Sequence, residues 1–257
     1  MPRVRLDSLL AERGLFESRS RAAAAVMAGE VQVASRLASK PSQLVDPMAE
    51  IVVAAAPAYV SRGGVKLANA LDAFGLSIRD RDALDVGAST GGFTDCLLQR
   101  GAARVIALDV AYGELDYRLR NDARVTVIER TNARSISELP FAPSLIVIDV
   151  SFISLTKVLP AVVGLAAPEF DCLAMVKPQF EVGRERVGKG GVVRDAELRR
   201  SAVASVAECG VALGCSVAGF APSGLPGPKG NLETFVWLAE GERGGVDWRT
   251  ALGEVAV

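Results

Sequence analysis

The sequence predicts an α/β fold: a mostly parallel sheet with an antiparallel edge hairpin, preceded by a small N-terminal α+β unit. Three observations predict it. From about residue 61, apolar strand-like runs alternate with helical stretches, as in a parallel sheet covered on both faces. A glycine-rich turn, Asp85-Val-Gly-Ala-Ser-Thr-Gly-Gly-Phe93, joins the first long strand to a helix. A late pair of apolar runs is separated by Pro222-Ser-Gly-Leu-Pro-Gly-Pro228, the composition of a hairpin connection.

The elements follow in order. Leu6, Leu9 and Leu10 mark one helix stripe that stops near Gly14. Ser18 or Ser20 can cap a second helix, which runs through the alanines to Gly29. Val31 and Val33 alternate as a strand, Ile51 to Ala55 gives another, and Ala56-Pro57-Ala58 reads as a boundary. Leu67, Ala70, Leu71 and Phe74 share a helix face. Strands are expected at Ala83–Val86, Arg104–Asp109, Arg124–Glu129, Leu145–Asp149 and Cys172–Val176, with a helix from Phe93 to Arg100. The hairpin strands are expected around Val211–Ala221 and Glu233–Leu238. The predicted domains are 1–57, 58–240 and a tail, 241–257, with a short terminal helix.

Composition removes several chemistries. The 257 residues include no histidine, which excludes Ser-His-Asp and Cys-His nucleophiles and histidine metal sites. Cys96, Cys172, Cys209 and Cys215 never fall at C-x-x-C spacing, so they read as buried thiols and no metal is expected. No apolar signal core opens the chain. The longest nearly apolar run, Val158 to Pro168, is well short of the roughly 18 residues that span a bilayer. A cytoplasmic protein with no membrane partner is expected. Net charge is −1, yet residues 1–40 carry seven basic and four acidic side chains, a local +3 that points to a nucleic-acid partner for this unit.

The glycine turn lies where open α/β sheets bind ligands, and its glycines allow close backbone approach. Asp109 ends the next strand, 22 residues after Gly87, where a carboxylate can accept from both ribose hydroxyls of an adenosine. Ser89 stands where a G-x-G-x-x-G turn has its middle glycine. That disfavours a nicotinamide dinucleotide, whose pyrophosphate needs the close approach, and suits S-adenosylmethionine, which has no phosphate. Four more polar residues sit at element ends: Lys66 on a helix, Asp149 and Lys177 after apolar strands, and Glu233 before one. In a parallel sheet, Asp149 and Lys177 emerge together at the carboxyl edge, beside the turn. Pro178 stiffens the chain after Lys177, and Gln179-Phe-Glu181 reads as a polar loop.

Taken together these residues resemble the TlyA family of RNA ribose 2′-O-methyltransferases, which have an FtsJ-like catalytic domain and are often labelled haemolysins. The matching stretches are Val60-Ser-Arg-Gly-Gly-Val-Lys66, Asp85 to Thr94, Glu129-Arg-Thr-Asn-Ala-Arg134, Asp149-Val-Ser-Phe-Ile-Ser-Leu155, Val176-Lys-Pro-Gln-Phe-Glu-Val-Gly183 and Leu225-Pro-Gly-Pro-Lys-Gly-Asn231. Arg5 to Val33 resembles a small RNA-binding domain first described in a ribosomal small-subunit protein.

The resemblance implies a Rossmann-like methyltransferase with S-adenosylmethionine as cofactor and ribosomal RNA or ribosomal subunits as partner, the target nucleotide being cytidine. It places a Lys-Asp-Lys-Glu tetrad on Lys66, Asp149, Lys177 and Glu233. The cofactor contacts fall on Asp85, Gly87, Ala88, Ser89, Thr90, Gly91, Gly92, Phe93, Asp109 and Asp149. Asn132 stands where the group often has an aspartate near the adenine.

Lys177 is the candidate base, with Asp149 orienting it and Lys66 and Glu233 holding the ribose and the lysine network. An ordinary lysine is neutral about once in 800 molecules at pH 7.5, a penalty of about 4 kcal/mol, whereas positioning contributes about 7–11 kcal/mol. Arg3, Arg5, Arg19, Arg21 and Arg62 are candidates for RNA phosphates, and Gly183 to Gly191 is expected to be a loop over the RNA. In the family that the resemblance names, longer N-termini accompany activity on both subunits, so the resemblance implies large-subunit RNA alone for this short one. Two rival readings are a non-catalytic RNA-binding or assembly protein and a membrane-lytic haemolysin.

Overall fold

The computed structural model describes residues 3–27, 30–53 and 58–255. Met1 and Pro2, the helix end expected at Gly29, the strand end at Ala54-Ala55 and the boundary at Ala56-Pro57 lie outside the described residues. The chain divides into two units, Met1–Ala58 and Tyr59–Val257.

The first unit runs β1 (Val4–Arg5), α1 (Leu6–Glu12), α2 (Arg19–Met27), β2 (Val31–Val33), β3 (Arg36–Leu37), β4 (Leu44–Val45) and β5 (Ile51–Val53). The α1 stripe of Leu6, Leu9 and Leu10 packs with Ala22, Ala25 and Val26 of α2 and with Val31. The Ser18 hydroxyl accepts from the Arg21 amide, so Ser18 rather than Ser20 caps α2. Strand β2 pairs antiparallel with β3 and β5, and β1 pairs antiparallel with β4.

The second unit runs α3 (Arg62–Phe74), β6 (Asp82–Val86), α4 (Gly92–Gln99), β7 (Arg104–Leu108), α5 (Tyr117–Arg120), β8 (Val125–Ile128), β9 (Leu145–Ile148), α6 (Leu159–Val163), β10 (Asp171–Val176), α7 (Pro178–Glu181), α8 (Ala196–Ala212), β11 (Cys215–Pro222), β12 (Thr234–Glu240) and α9 (Trp248–Glu254). Its sheet has the order β11-β12-β10-β9-β6-β7-β8. The five strands from β10 to β8 are parallel, while β12 is antiparallel to β10 and β11 to β12.

Alternate strand residues build two cores. Ala83, Val105, Ala107, Leu145, Val147, Leu173 and Met175 face Leu67, Leu71, Phe93 and Leu97 of α3 and α4. Leu84, Val86, Ile106, Ile146, Ile148 and Ala174 face Leu159, Val203, Val206 and Leu252 of α6, α8 and α9. Burial on both faces explains why Leu145–Ile148 and Cys172–Val176 read as continuous apolar runs. Leu252 is buried in the second core, so the segment after Glu240 packs on this unit.

Two expectations need correction. Val211 and Ala212 are not strand but the last turn of α8, which Asp195 caps by accepting from the Glu197 and Leu198 amides. Gly214, at φ +84, turns the chain, and β11 starts only at Cys215. Gln179-Phe-Glu181 is helix rather than loop, because Pro178 occupies the first turn of α7, where its missing N–H costs nothing.

Candidate active site

The sheet reverses its strand order between β6 and β9, and the crevice opens at their carboxyl ends. The Asp149 amide donates to Val86 O at 2.9 Å and holds the two strand tips together. Gly87 makes this approach feasible. It sits at φ +87, and a Cβ there would lie 2.6 Å from the Asp149 carbonyl oxygen.

A cavity of about 380 Å³ occupies the crevice, within the range of small-molecule sites. Its lining includes Gly87, Ala88, Ser89, Thr90, Gly92 and Phe93 of the turn together with Lys66, Asp149, Lys177 and Glu233. The structure thus brings together all four tetrad candidates and most of the turn.

The tetrad is arranged as two ion pairs. Lys66, on α3, donates to Glu233 Oε2 at 2.5 Å, with both side chains over nine-tenths buried. Lys177 Nζ lies 2.6 Å from Asp149 Oδ1 and donates to Ser151 Oγ at 2.8 Å. The Lys177–Asp149 contact is ionic and not an aligned hydrogen bond, and Oδ1 is buried with no other polar partner.

Four predicted cofactor residues stand outside the cavity wall. Asp85 is fully buried beneath the turn, where it accepts from Thr94 Oγ1 at 2.7 Å. Burial pushes its carboxyl up to about 7, and the Thr94 hydrogen bond only partly opposes this. Gly91, at φ +95, packs against Leu119 and Leu115. Asp109 ties the turn internally: one oxygen accepts from the Ser89 amide at 2.7 Å, the other from the Ala111 amide at 2.8 Å. Its first partners are therefore backbone amides, and each oxygen keeps one lone pair. Asn132 is exposed and caps a 3₁₀ turn by accepting from the Arg134 amide.

Sequence reasoning missed Ser61, Gly63 and Pro228 in the wall, and Ser151 on Lys177. All four lie inside the stretches that carry the resemblance, but nothing in their type marks them as site residues. Pro228 belongs to a connection tied back to α3. Arg62 donates to Pro226 O at 2.7 Å, and Asn69 donates to Ser223 O at 3.0 Å. Asn231 fastens the same connection to residues 188–193, accepting from the Val193 amide and donating to Gly191 O. The Gly183–Gly191 loop holds a 3₁₀ turn at Arg184–Arg186 and a bridge between Gly188 and Val192.

In the N-terminal unit, Arg5 and Arg19 both pair with Asp7, and the Arg5 hydrogen bonds hold its carboxyl down at about 2. Arg3, Arg5, Arg19 and Arg21 are all exposed, as is Arg62 in the second unit. The cysteines are free; Cys96, Cys172 and Cys215 are buried, and burial raises the pKa of all four thiols. Among the described residues, no helix is long and apolar enough to cross a membrane.

A mostly parallel sheet with a crevice at its reversal point defines a Rossmann-like fold. A solved S-adenosylmethionine-dependent methyltransferase from Mesorhizobium loti shares this fold at TM-score 0.52 and 12% identity, covering 70% of this chain and all of that one. The FtsJ-like methyltransferase model matches residues 59–240 and the S4 domain model residues 4–51.

The 16S/23S rRNA (cytidine-2′-O)-methyltransferase TlyA of Mycobacterium tuberculosis is 49% identical over 92% of this chain and 90% of its own. Hemolysin A of Brachyspira hyodysenteriae is 42% identical over 90% and 97%. A solved Streptococcus thermophilus protein with a provisional hemolysin label superposes at TM-score 0.76 and 40% identity, covering 99% of this chain and 94% of that one. The chain belongs to the TlyA family of FtsJ-like methyltransferases.

Proposed function

We propose that this enzyme transfers the methyl group of S-adenosylmethionine to a cytidine ribose 2′-hydroxyl of ribosomal RNA. One observation carries the reading: Lys66, Asp149, Lys177 and Glu233 form two ion pairs in the wall of the cavity that the glycine turn closes. The residues suit the donor. Each lysine faces a carboxylate, so the two acids offset the two amines beside the sulfonium, while Arg62, also in the wall, donates to Pro226 O. Asp149 also offers a buried oxygen without a hydrogen-bond partner. Gly87 to Phe93 would hold the adenosine end beside Asp109, and Asp149 would face the reacting end. When bound, the sulfonium supplies an activated methyl.

The chain's own groups do the rest. Lys177, placed by Asp149 and Ser151, enters the step as the neutral amine; its Nζ lone pair takes the 2′-hydroxyl proton as the oxygen bonds to the methyl, and the ammonium formed then pairs with Asp149. The Lys66–Glu233 pair, removed from water, fixes the other flank of the ribose. Most of the acceleration comes from this alignment. Arg3, Arg5, Arg19, Arg21 and Arg62 contact RNA phosphates; Asp7 orients the Arg5 and Arg19 guanidinium groups by pairing with both.

The relatives' names guide the substrate. The 49% identical relative is named for 16S and 23S RNA, whereas a Campylobacter jejuni relative, 37% identical over 70% of each chain, is named for 23S alone. Purified protein should therefore be given both ribosomal subunits with labelled S-adenosylmethionine. Site-specific 2′-O-methylation is expected on at least one, and Lys177→Ala should lower the single-turnover rate by about 10²–10⁴-fold. A wild-type rate in that variant would overturn the base assignment, and no ribose methylation of either subunit would overturn the reaction.

A further inference from the structure

The residues that follow Asp149 are clamped to the segment that follows Lys177 at two points. At the first, Lys177 Nζ donates to Ser151 Oγ at 2.8 Å. At the second, Glu181, at the end of α7, accepts from Ser154 Oγ at 2.5 Å and from the Leu155 amide at 2.9 Å. Burial raises the Glu181 pKa, and these two donors oppose the shift. Between the clamps, Phe152 takes φ +63, a conformation that a bulky residue adopts only when its surroundings impose it. Ser151 is therefore delivered to Lys177 by a segment fixed on both sides.

The two oxygens beside Lys177, the Asp149 carboxylate in ionic contact and the Ser151 hydroxyl in a hydrogen bond, differ chemically. An ionised carboxylate can only accept, so Asp149 can hold an ammonium but offers no proton to a neutral amine. A hydroxyl does both: it accepts from Lys177 as an ammonium, and by turning its own proton it donates to the lone pair of the neutral amine. A base in the proposed reaction must spend part of each cycle in each state. Of the other charged groups in the cavity wall, Lys66 and Glu233 face one another, and Arg62 donates to Pro226 O.

We infer that Ser151 is a positioning residue for Lys177, keeping its Nζ in place in both protonation states. This rests on Lys177 acting as the base. Glu181 supports it at one remove, by fixing Ser154 and Leu155.

The test compares full-length wild type with Ser151→Ala and Ser151→Thr. Two readouts are taken across pH: single-turnover methylation of ribosomal subunits, and the rate at which an acylating reagent modifies Lys177, mapped by mass spectrometry. Ser151→Ala should lower the rate about tenfold, the worth of one hydrogen bond to a charged group. It should also displace the acid limb of the rate profile, alter the Lys177 labelling profile and leave the KM for S-adenosylmethionine unchanged. Ser151→Thr, which keeps the hydroxyl, should restore both profiles. Unchanged rate and labelling in Ser151→Ala would overturn the inference. Altered labelling with an unchanged rate would uphold the Ser151–Lys177 pairing and instead remove Lys177 from the proton transfer.

Discussion

Lys66 and Glu233 are separated by 167 positions in the sequence and by 2.5 Å in space. Their pair joins α3 to the start of β12 in a place nearly sealed from water. Taking one member away leaves an uncompensated buried charge, which typically costs 3–5 kcal/mol. Glu233→Ala should accordingly lower unfolding stability by about that much. The double variant Lys66→Met with Glu233→Leu should recover most of the loss, and denaturant unfolding of the single and double variants measures the difference.

Gly87→Ala should damage the crevice more than a small residue suggests. The position has φ +87, which costs an alanine about 1–2 kcal/mol, and the new Cβ would press on the Asp149 carbonyl oxygen. The turn or the end of β9 must shift. The expected result is at least tenfold weaker S-adenosylmethionine binding by calorimetry, with a small fall in Tm.

Asp85 makes stability depend on pH in an unusual direction for an acid. Its carboxyl titrates at about 7 in the fold, raised by burial and by the nearby Asp149 and Asp109 charges, and near 3.9 in the unfolded chain. Across that window the folded state holds the proton more tightly, so this group's contribution is full below about pH 4 and is lost as pH rises to about 7. The loss is on the order of 4 kcal/mol. Asp85→Asn, still able to accept from Thr94, should flatten the stability profile between pH 4 and 7.

Much of this molecule was legible in its residues, for identifiable reasons. The parallel strands showed as apolar runs because both their faces are covered, and the glycine turn then fixed the carboxyl edge. That placed Asp149 and Lys177 together by topology alone. Lys66 and Glu233 stood out only as polar residues at element ends, and their place in the tetrad came from the family resemblance, because pairing a helix residue with a strand start 167 positions away has no local signal. The two-residue strands β1, β3 and β4 are too short to show alternation. Val211 misled because an apolar residue suits the end of a helix as well as the start of a strand. Asp85 adjoins the turn in sequence, yet its strand is buried on both faces, so adjacency did not mean access. The same limit hid Ser151, whose role depends on the chain folding back at Phe152.

The antiparallel insertion of β12 beside β10 has a consequence for biosynthesis. The crevice draws its first wall residue from position 61 and its last from position 233. During translation, the turn and the parallel strands can emerge and pair while one acid is still unmade. The Lys66–Glu233 pair cannot form until residue 233 has been made. The polypeptide therefore lacks the full set of wall residues until that segment has been made.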